Sequence, residues 1–391
     1  MCRFTTAQFP QRLINSCLER MPNQASRGSI LIVSMASTSV GHTYRVVNHS
    51  ECFEALGFRT HVVTADAALP AIEAVSELKG VVVFRPIHDQ RFVQWRASAS
   101  ARGIPLLADV DDITFDVSLL ASGEWHYWQT LPSDAQAVWK DRFEAQHRAL
   151  ELVDGVLVST EPLAKAVESF GWRSWIWPNG FGRLSWEISA FCRRQRKAAR
   201  QASGPSTVVI GYASGTPTHE ADFAMIAPAL ARICHAFPHV RLDLLGTLNL
   251  ANHSCLSVCR DQIQQRKAVP YSELSGEIAR FDVNLAPLEL TSRFCQAKSE
   301  LKFFEAAVVG VPTVASPTAP FRSVIENNLN GCLASTEDEW FSVLSELVRR
   351  AGFRRRLARQ AHRTTRRLFS PRAQTCRLES LLQSGLLGCR S

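Results

Sequence analysis

The chain has 391 residues, with 44 Lys+Arg against 36 Asp+Glu for a formal charge of +8, and is 46% hydrophobic and 20% charged. That balance excludes disorder, a collagen-like repeat and a coiled coil, and the length asks for two domains, because single cores rarely grow past ~250 to 300 residues. Eleven cysteines scattered singly read as reduced thiols of a cytoplasmic protein, and runs such as Ile30 to Val33 fall far short of the ~20 apolar residues a membrane helix needs.

Residues 1–28 carry Arg3, Arg12, Arg20 and Arg27 against one acid, Glu19, with no continuous apolar core behind them. They read as a disordered extension rather than a secretory signal, with an amphipathic arm through Phe9, Leu13, Ile14 and Leu18 as the rival, and with Met1 and Met21 both open as starts. From 29 onward, short β-rich runs alternate with helix-length segments, the pattern of βαβ units and a parallel sheet. Strands are predicted at Ser29 to Ser34, Thr60 to Thr64, Gly80 to Phe84, Ile104 to Ala108, Gly155 to Ser159 and Trp175 to Trp177, with a helix over Tyr44 to Leu56 stopped by Gly57. Pro178-Asn179-Gly180 must turn. The basic run over 191–205 reads as a solvated interdomain linker, or as the exposed face of a short helix. A second series follows, with strands at Val208 to Ala213, Val240 to Leu245, Arg266 to Val269, Val283 to Pro287, Thr313 to Ala315 and Cys332 to Ala334. The expected architecture is α/β, with two Rossmann-like domains at 29–190 and 206–365 and a helical segment at 366–391.

Ligands in such sheets bind outside the carboxyl ends of the strands, so the loops there carry the chemistry. No G-x-G-x-x-G follows the first strand, and the chain has no G-x-x-x-x-G-K-[ST], no H-E-x-x-H and no G-x-S-x-G. These absences demote dehydrogenase, P-loop NTPase, zincin and α/β-hydrolase readings. His253, Cys255 and Cys259 lack a second ligand pair and read as ordinary thiols and a histidine. Phe294 to Pro317 reads as loop, helix, glycine stop and strand, with Lys298, Lys302 and Glu305 on one helix face. Lysines near a helix's positive end neutralise a diphosphate, and a carboxylate one turn on accepts from ribose hydroxyls. A solvated face with Lys-Glu pairing has the same spacing. Asp109, Asp111 and Asp112 end the strand Ile104 to Ala108. They suit a general base or hydroxyl anchor, a D-x-D metal site, or a helix cap beside surface acids.

The stretches Ile210 to His219 (IGYASGTPTH), Asp282 to Leu288 (DVNLAPL), Lys298 to Ala306 (KSELKFFEA) and Gly310 to Pro317 (GVPTVASP), with Asp154-Gly155-Val156, Ser159-Thr160 and Pro178-Asn179-Gly180, together resemble GT-B glycosyltransferases of family 4. The resemblance covers residues 29 to about 370 and points to a branch in bacterial polysaccharide and O-antigen pathways. It implies parallel sheets facing a central cleft and sugar transfer, with retention, from a nucleotide sugar to a saccharide or lipid-linked acceptor, with no cofactor or metal. By the same resemblance Glu305 holds the donor ribose. The family's glutamate eight residues earlier is Ala297 here, and its Arg and Lys after the first C-domain strand are absent. Ser214, Gly215, Thr216 and His219 fill that loop, where backbone N–H groups and hydroxyls form an anion nest, with charge from Lys298 and Lys302. Preorganised cations matter because glycosyl–phosphate cleavage leaves negative charge on the diphosphate. Arg45 occupies the loop where such enzymes bring acceptor and donor phosphate together, and Asp109, Asp111 and Asp112 become catalytic candidates.

Trp125-His126-Tyr127-Trp128 reads either as a sugar-stacking or interfacial loop or as a packed helix. Nine arginines between Arg349 and Arg367 make a basic helix that suits a peripheral contact with anionic membrane at its inner face, or plain solvation; nucleic acid is not expected. Two rivals to transfer remain: a nucleotide-sugar 2-epimerase of the same fold, and a decayed nucleotide-binding scaffold.

Overall fold

Both sheets of the computed structural model are wholly parallel, and the apolar runs of the sequence are what makes that possible. A parallel sheet is covered on both faces, so its strands are continuously hydrophobic rather than alternating. The structure describes residues 27–202, 207–215 and 217–388; the N-terminal arm, both candidate start methionines and Thr216 lie outside these. Two compact units divide the chain near Leu184. The first also takes Ala297–Ser299 and the residues from Leu368 on, and the second holds Ser185–Gln296 and Glu300–Arg367.

In the first unit the strands are β1 (Ser29–Ser34), β2 (Arg59–Thr64), β3 (Leu78–Phe84), β4 (Leu106–Val110), β5 (Gly155–Val158) and β6 (Ser174–Ile176). They lie in the order β2-β1-β3-β4-β5-β6. All six residues of β1 are buried. Ile30 and Ile32 face a cluster with Phe53, Trp177 and the C-terminal Leu378 and Leu381, while Leu31 and Val33 face Phe92, Trp95 and Ile72. The second unit contains β7 (Val208–Ser214), β8 (Val240–Gly246), β9 (Ile263–Arg266), β10 (Val283–Ala286), β11 (Thr313–Ala315) and β12 (Cys332–Leu333). Their order is β12-β11-β10-β7-β8-β9. One core joins Ile210, Tyr212, Leu242 and Leu285 to Phe223, Leu230, Ile233, Trp340 and Leu344.

These orders place the chemistry. Strand order reverses at β1/β3 in the first sheet and at β7/β10 in the second, and at such a point the flanking connections leave to opposite faces, opening a crevice at the carboxyl ends.

Three local expectations change. The basic run is no linker: 191–202 belong to the 20-residue helix Arg183–Ala202. Its Arg196 donates to the Ala279 carbonyl and its Arg200 pairs with Asp282. Burial lowers the Arg196 guanidinium to about 9. The ninth strand ends where it was expected to begin, at Arg266, which bridges Asp243 and Glu277. The helix after β1 starts earlier, at Val40–His42, and continues through Asn48–Ala55, and its Thr43–Val47 turn is π, with the Asn48 N–H reaching back to the Thr43 carbonyl. The eight cysteines among the described residues are all free, and no described helix is long and apolar enough to cross a membrane.

Candidate functional site

At the β1/β3 crevice, glycine decides what can approach. A Cβ on Gly41 would sit 2.4 Å from Asp111 Oδ2 and 3.0 Å from the Phe84 ring, so only a bare backbone lets the helix start pack on the carboxylate. Ser39 caps that start by accepting from the His42 N–H at 3.2 Å, and the Ser34 hydroxyl lies 2.8 Å from His42 Nδ1. Burial lowers the His42 imidazole.

Arg85, directly after β3, is the residue that sequence reasoning missed. It sits at φ +51°, a region that side chains other than glycine, asparagine and aspartate seldom occupy. Its N–H donates to the Asp109 carbonyl at 2.8 Å. Its side chain donates from Nε to Asp111 at 2.6 Å and from a terminal nitrogen to Asp112 at 3.0 Å. Arg85 thus holds both carboxylates outside the end of β4. Burial, then the Asp111 charge, pushes the Asp112 carboxyl up, against Arg85, Lys298 and Arg142. The sequence signal was an arginine ending the buried run VVVF, where a strand-end side chain points at the crevice.

Arg45 and Asp109 take a different place from the one expected. Both side chains are fully buried, and Arg45 Nε donates to Asp109 Oδ1 at 2.7 Å. Arg45 also donates to the Trp177 carbonyl and, at 3.3 Å, to Asn179. His49 stacks flat on Trp177, with ring centroids 3.4 Å apart, and stands 3.5 Å from Asp109 Oδ2. Burial and the Arg45 charge push its imidazole down to about 4. This pair ties the π turn to β4 and to the Trp177–Gly180 turn, with both side chains closed off from solvent. Of the predicted acids, Asp111 and Asp112 alone retain a partly open face.

The aromatic stretch resolves as the short helix His126–Gln129. Trp125 is buried against Trp139 and Phe143 of the helix Ser133–Leu150, so the packed reading holds for it.

In the second unit, Ser214 ends β7, buried, and Gly215 is exposed after it. The third loop residue expected to bind donor, Thr216, is outside the described residues. His219 Nδ1 lies 2.8 Å from Asp222 Oδ2. Asp222 Oδ1 accepts from the Glu289 N–H at 3.0 Å and the Cys295 thiol at 3.4 Å. A buried aspartate therefore joins the loop after β7 to the loop after β10, a role legible only as the His-x-x-Asp spacing at a helix start. Asp222, Glu289 and Cys295 also bring metal-capable atoms within 4.8 Å of one another. Tyr212 is buried on β7, stacked with Phe223, and its burial pushes its phenol well up.

Lys298, Lys302 and Glu305 do not share one helix face. The helices are Arg293–Ala297 and Leu301–Val308, and Lys298 lies in the break between them, grouped with the first unit. Lys302 and Glu305 do lie on the second helix three residues apart, half-buried, with Phe303, Phe304 and Ala306 inward. Lys302 Nζ stands 5.5 Å above the Tyr212 ring, and its carbonyl accepts from Asn284 on β10 at 2.9 Å. This ties Lys302 to β7 and β10, with Glu305 one turn further along the same helix.

Residues 225–380 match the sequence model of a family described as glycosyl transferase-like. No curated protein sequence matches the chain. Among solved structures, Anabaena HepE in complex with UDP and glucose superposes with a TM-score of 0.62 at 14% identity, covering 91% of this chain and 100% of that one. A glycosyltransferase from Rickettsia africae gives 0.64 at 10% identity, with 93% and 100% covered. Sucrose-phosphate synthase from Thermosynechococcus elongatus gives 0.61 at 12%, again with 93% and 100% covered. The fold is therefore the GT-B type, with two Rossmann-like units.

Proposed function

We propose that the protein is a glycosyltransferase that moves a sugar from a nucleotide-sugar donor, a UDP-sugar first among candidates, to a saccharide or lipid-linked acceptor. The observation that carries this reading is the family match over 225–380, which spans Lys302, Glu305 and the loop after β10. In this reading Ser214, Gly215, Thr216, His219 and Lys302 receive the diphosphate, Glu305 the ribose hydroxyls, and Asp111 and Asp112 the acceptor hydroxyl. Neutralising the leaving diphosphate with fixed donors and cations lowers the barrier without reorganisation at the moment of reaction. Lys298 supplies further charge, no metal is required, and the sugar keeps its anomeric configuration. A role in cell-surface polysaccharide synthesis belongs to the same reading. The structure of HepE with UDP-glucose supports testing that donor first.

The six exposed arginines Arg355, Arg356, Arg359, Arg363, Arg366 and Arg367 line the outer side of the helix Ala351–Leu368, whose apolar side is packed inward. Any peripheral membrane contact here is electrostatic and salt-sensitive, not an insertion.

The test is a panel of UDP-, GDP- and dTDP-sugars read by thermal shift, then by nucleotide release and by NMR of the product anomer. Stabilisation by one nucleotide series, with diphosphate released on adding acceptor in the presence of EDTA, is the expected result. Sugar interconversion without acceptor would show an epimerase instead, and absence of any nucleotide effect a scaffold.

A further inference from the structure

The helix Ser133–Leu150 carries three cations near one another in sequence, and they are treated differently. Lys140 and Arg148 both pair with Glu144, at 3.9 and 3.7 Å. Arg142 has no ion-pair partner among the described residues. It is exposed, and its guanidinium lies 5.6 Å above the half-buried Trp139 ring. The charges of Arg85 and Asp112 both act on it, the first repelling and the second attracting. Asp112 is itself already bound by Arg85 and also feels Lys298. The helix is docked on the loops that follow β3 and β4, with the His88 N–H donating to the Ala145 carbonyl at 3.0 Å, the Thr114 hydroxyl to Gln146 at 2.5 Å and His147 Nδ1 lying 3.0 Å from the Phe115 carbonyl. Arg142, one turn earlier, therefore lies on the side of Asp111 and Asp112, which are both committed to Arg85. An arginine held on an aromatic face beside hydroxyl-accepting carboxylates has the chemistry to bind a sugar ring that also carries a negative group.

We infer that Arg142 is a specificity-determining residue that selects an anionic acceptor, a saccharide bearing a phosphate or carboxylate close to the hydroxyl presented to Asp112. The inference deepens the transferase reading and rests on it for the reaction, but its recognition step is measurable by binding alone. The shared chemistry is a compact oxyanion on a sugar, which the guanidinium fork grips with two donors.

The test titrates octyl glucoside, octyl glucuronide and octyl glucoside 6-phosphate by ligand-observed NMR into the full chain with UDP saturating, so that a donor phosphate site is filled. Expected are at least about tenfold tighter binding of an anionic probe than the neutral one, and a loss of about 10- to 100-fold for that probe alone in Arg142→Gln, in line with one charge-assisted bidentate contact. Arg142→Lys should recover part of it. Which anionic probe responds separates phosphate from carboxylate. Equal binding of all three probes, no binding of any, or an equal fall for charged and neutral probes in Arg142→Gln would overturn the inference. UDP binding is read in the same samples. If UDP does not bind while the arginine-dependent preference persists, the donor reading fails and the anion site stands.

Discussion

Removing the carboxylate of Asp109 separates an internal structural role from a chemical one. In Asp109→Ala the Arg45 guanidinium, with a fully buried side chain, loses its counter-charge. Breaking one side of a buried pair costs about 3 to 5 kcal/mol. The Trp177 carbonyl and Asn179 still accept from Arg45, which puts the expectation at the lower end, about 3 to 4 kcal/mol. In a domain of ~150 to 250 residues each kcal/mol moves Tm by about 2 to 4 °C, so calorimetry should find the first unit melting roughly 10 °C earlier. The double variant Arg45→Met with Asp109→Leu should recover most of that loss, because an apolar replacement of both partners leaves no orphan charge. UDP affinity should stay as in the unaltered protein at temperatures where both units are folded. A variant with Tm within about 2 °C of the parent that loses transfer would refute the internal role and return Asp109 to the chemistry.

Three further outcomes are expected. His49 drops from an ordinary 6.5 to about 4 on folding, so the unfolded chain binds the extra proton. Stability is then full above pH 6.5 and falls by about 3 kcal/mol as pH drops toward 4. His49→Phe, which keeps the ring on Trp177, should flatten that acid limb in urea titrations, and an unchanged slope would sink the assignment. Lys302→Ala and Glu305→Ala should each weaken nucleotide binding about 10- to 100-fold by calorimetry with circular dichroism unchanged; full affinity in both removes the donor assignment. Gly246 sits at φ +121°, where an added Cβ would lie 1.7 Å from the Ser214 carbonyl oxygen. Strain and overpacking together should cost the second unit about 4 kcal/mol in Gly246→Ala and abolish protection of that unit by nucleotide, whereas a neutral variant would show the close approach to be dispensable.

The strands were legible because burial on both faces leaves a dense β-branched run, as in Ile30-Leu31-Ile32-Val33 or Val81-Val82-Val83. What escaped depends on partners far along the chain. Nothing local announces that Arg45 meets a carboxylate 64 residues away. The break at Lys298–Glu300 carries neither glycine nor proline, so continuous helix spacing was the natural expectation. Two successive N–H groups, of Phe303 and Phe304, instead converge on the Glu300 carbonyl, which starts a new helix there. The basic run was open as a linker or as an exposed helix face, and it is a largely exposed helix; what the sequence did not announce is that its Arg196 and Arg200, four apart, reach the carbonyls and acid at the end of a neighbouring segment. At the candidate site, Asp111 and Asp112 were readable as strand-end acids, while Arg85 needed the β3–β4 pairing to be seen beside them.

The widened turn at Thr43–Val47, which holds one residue more than an ordinary turn, buries Tyr44, Arg45 and Val46. Deleting any single residue of that segment would restore the ordinary spiral. Val40–His42 would then swing by about a quarter revolution, drawing Gly41 off Asp111 and Arg45 off Asp109 in one stroke. At this point the protein is held to its residue count as well as to its residues.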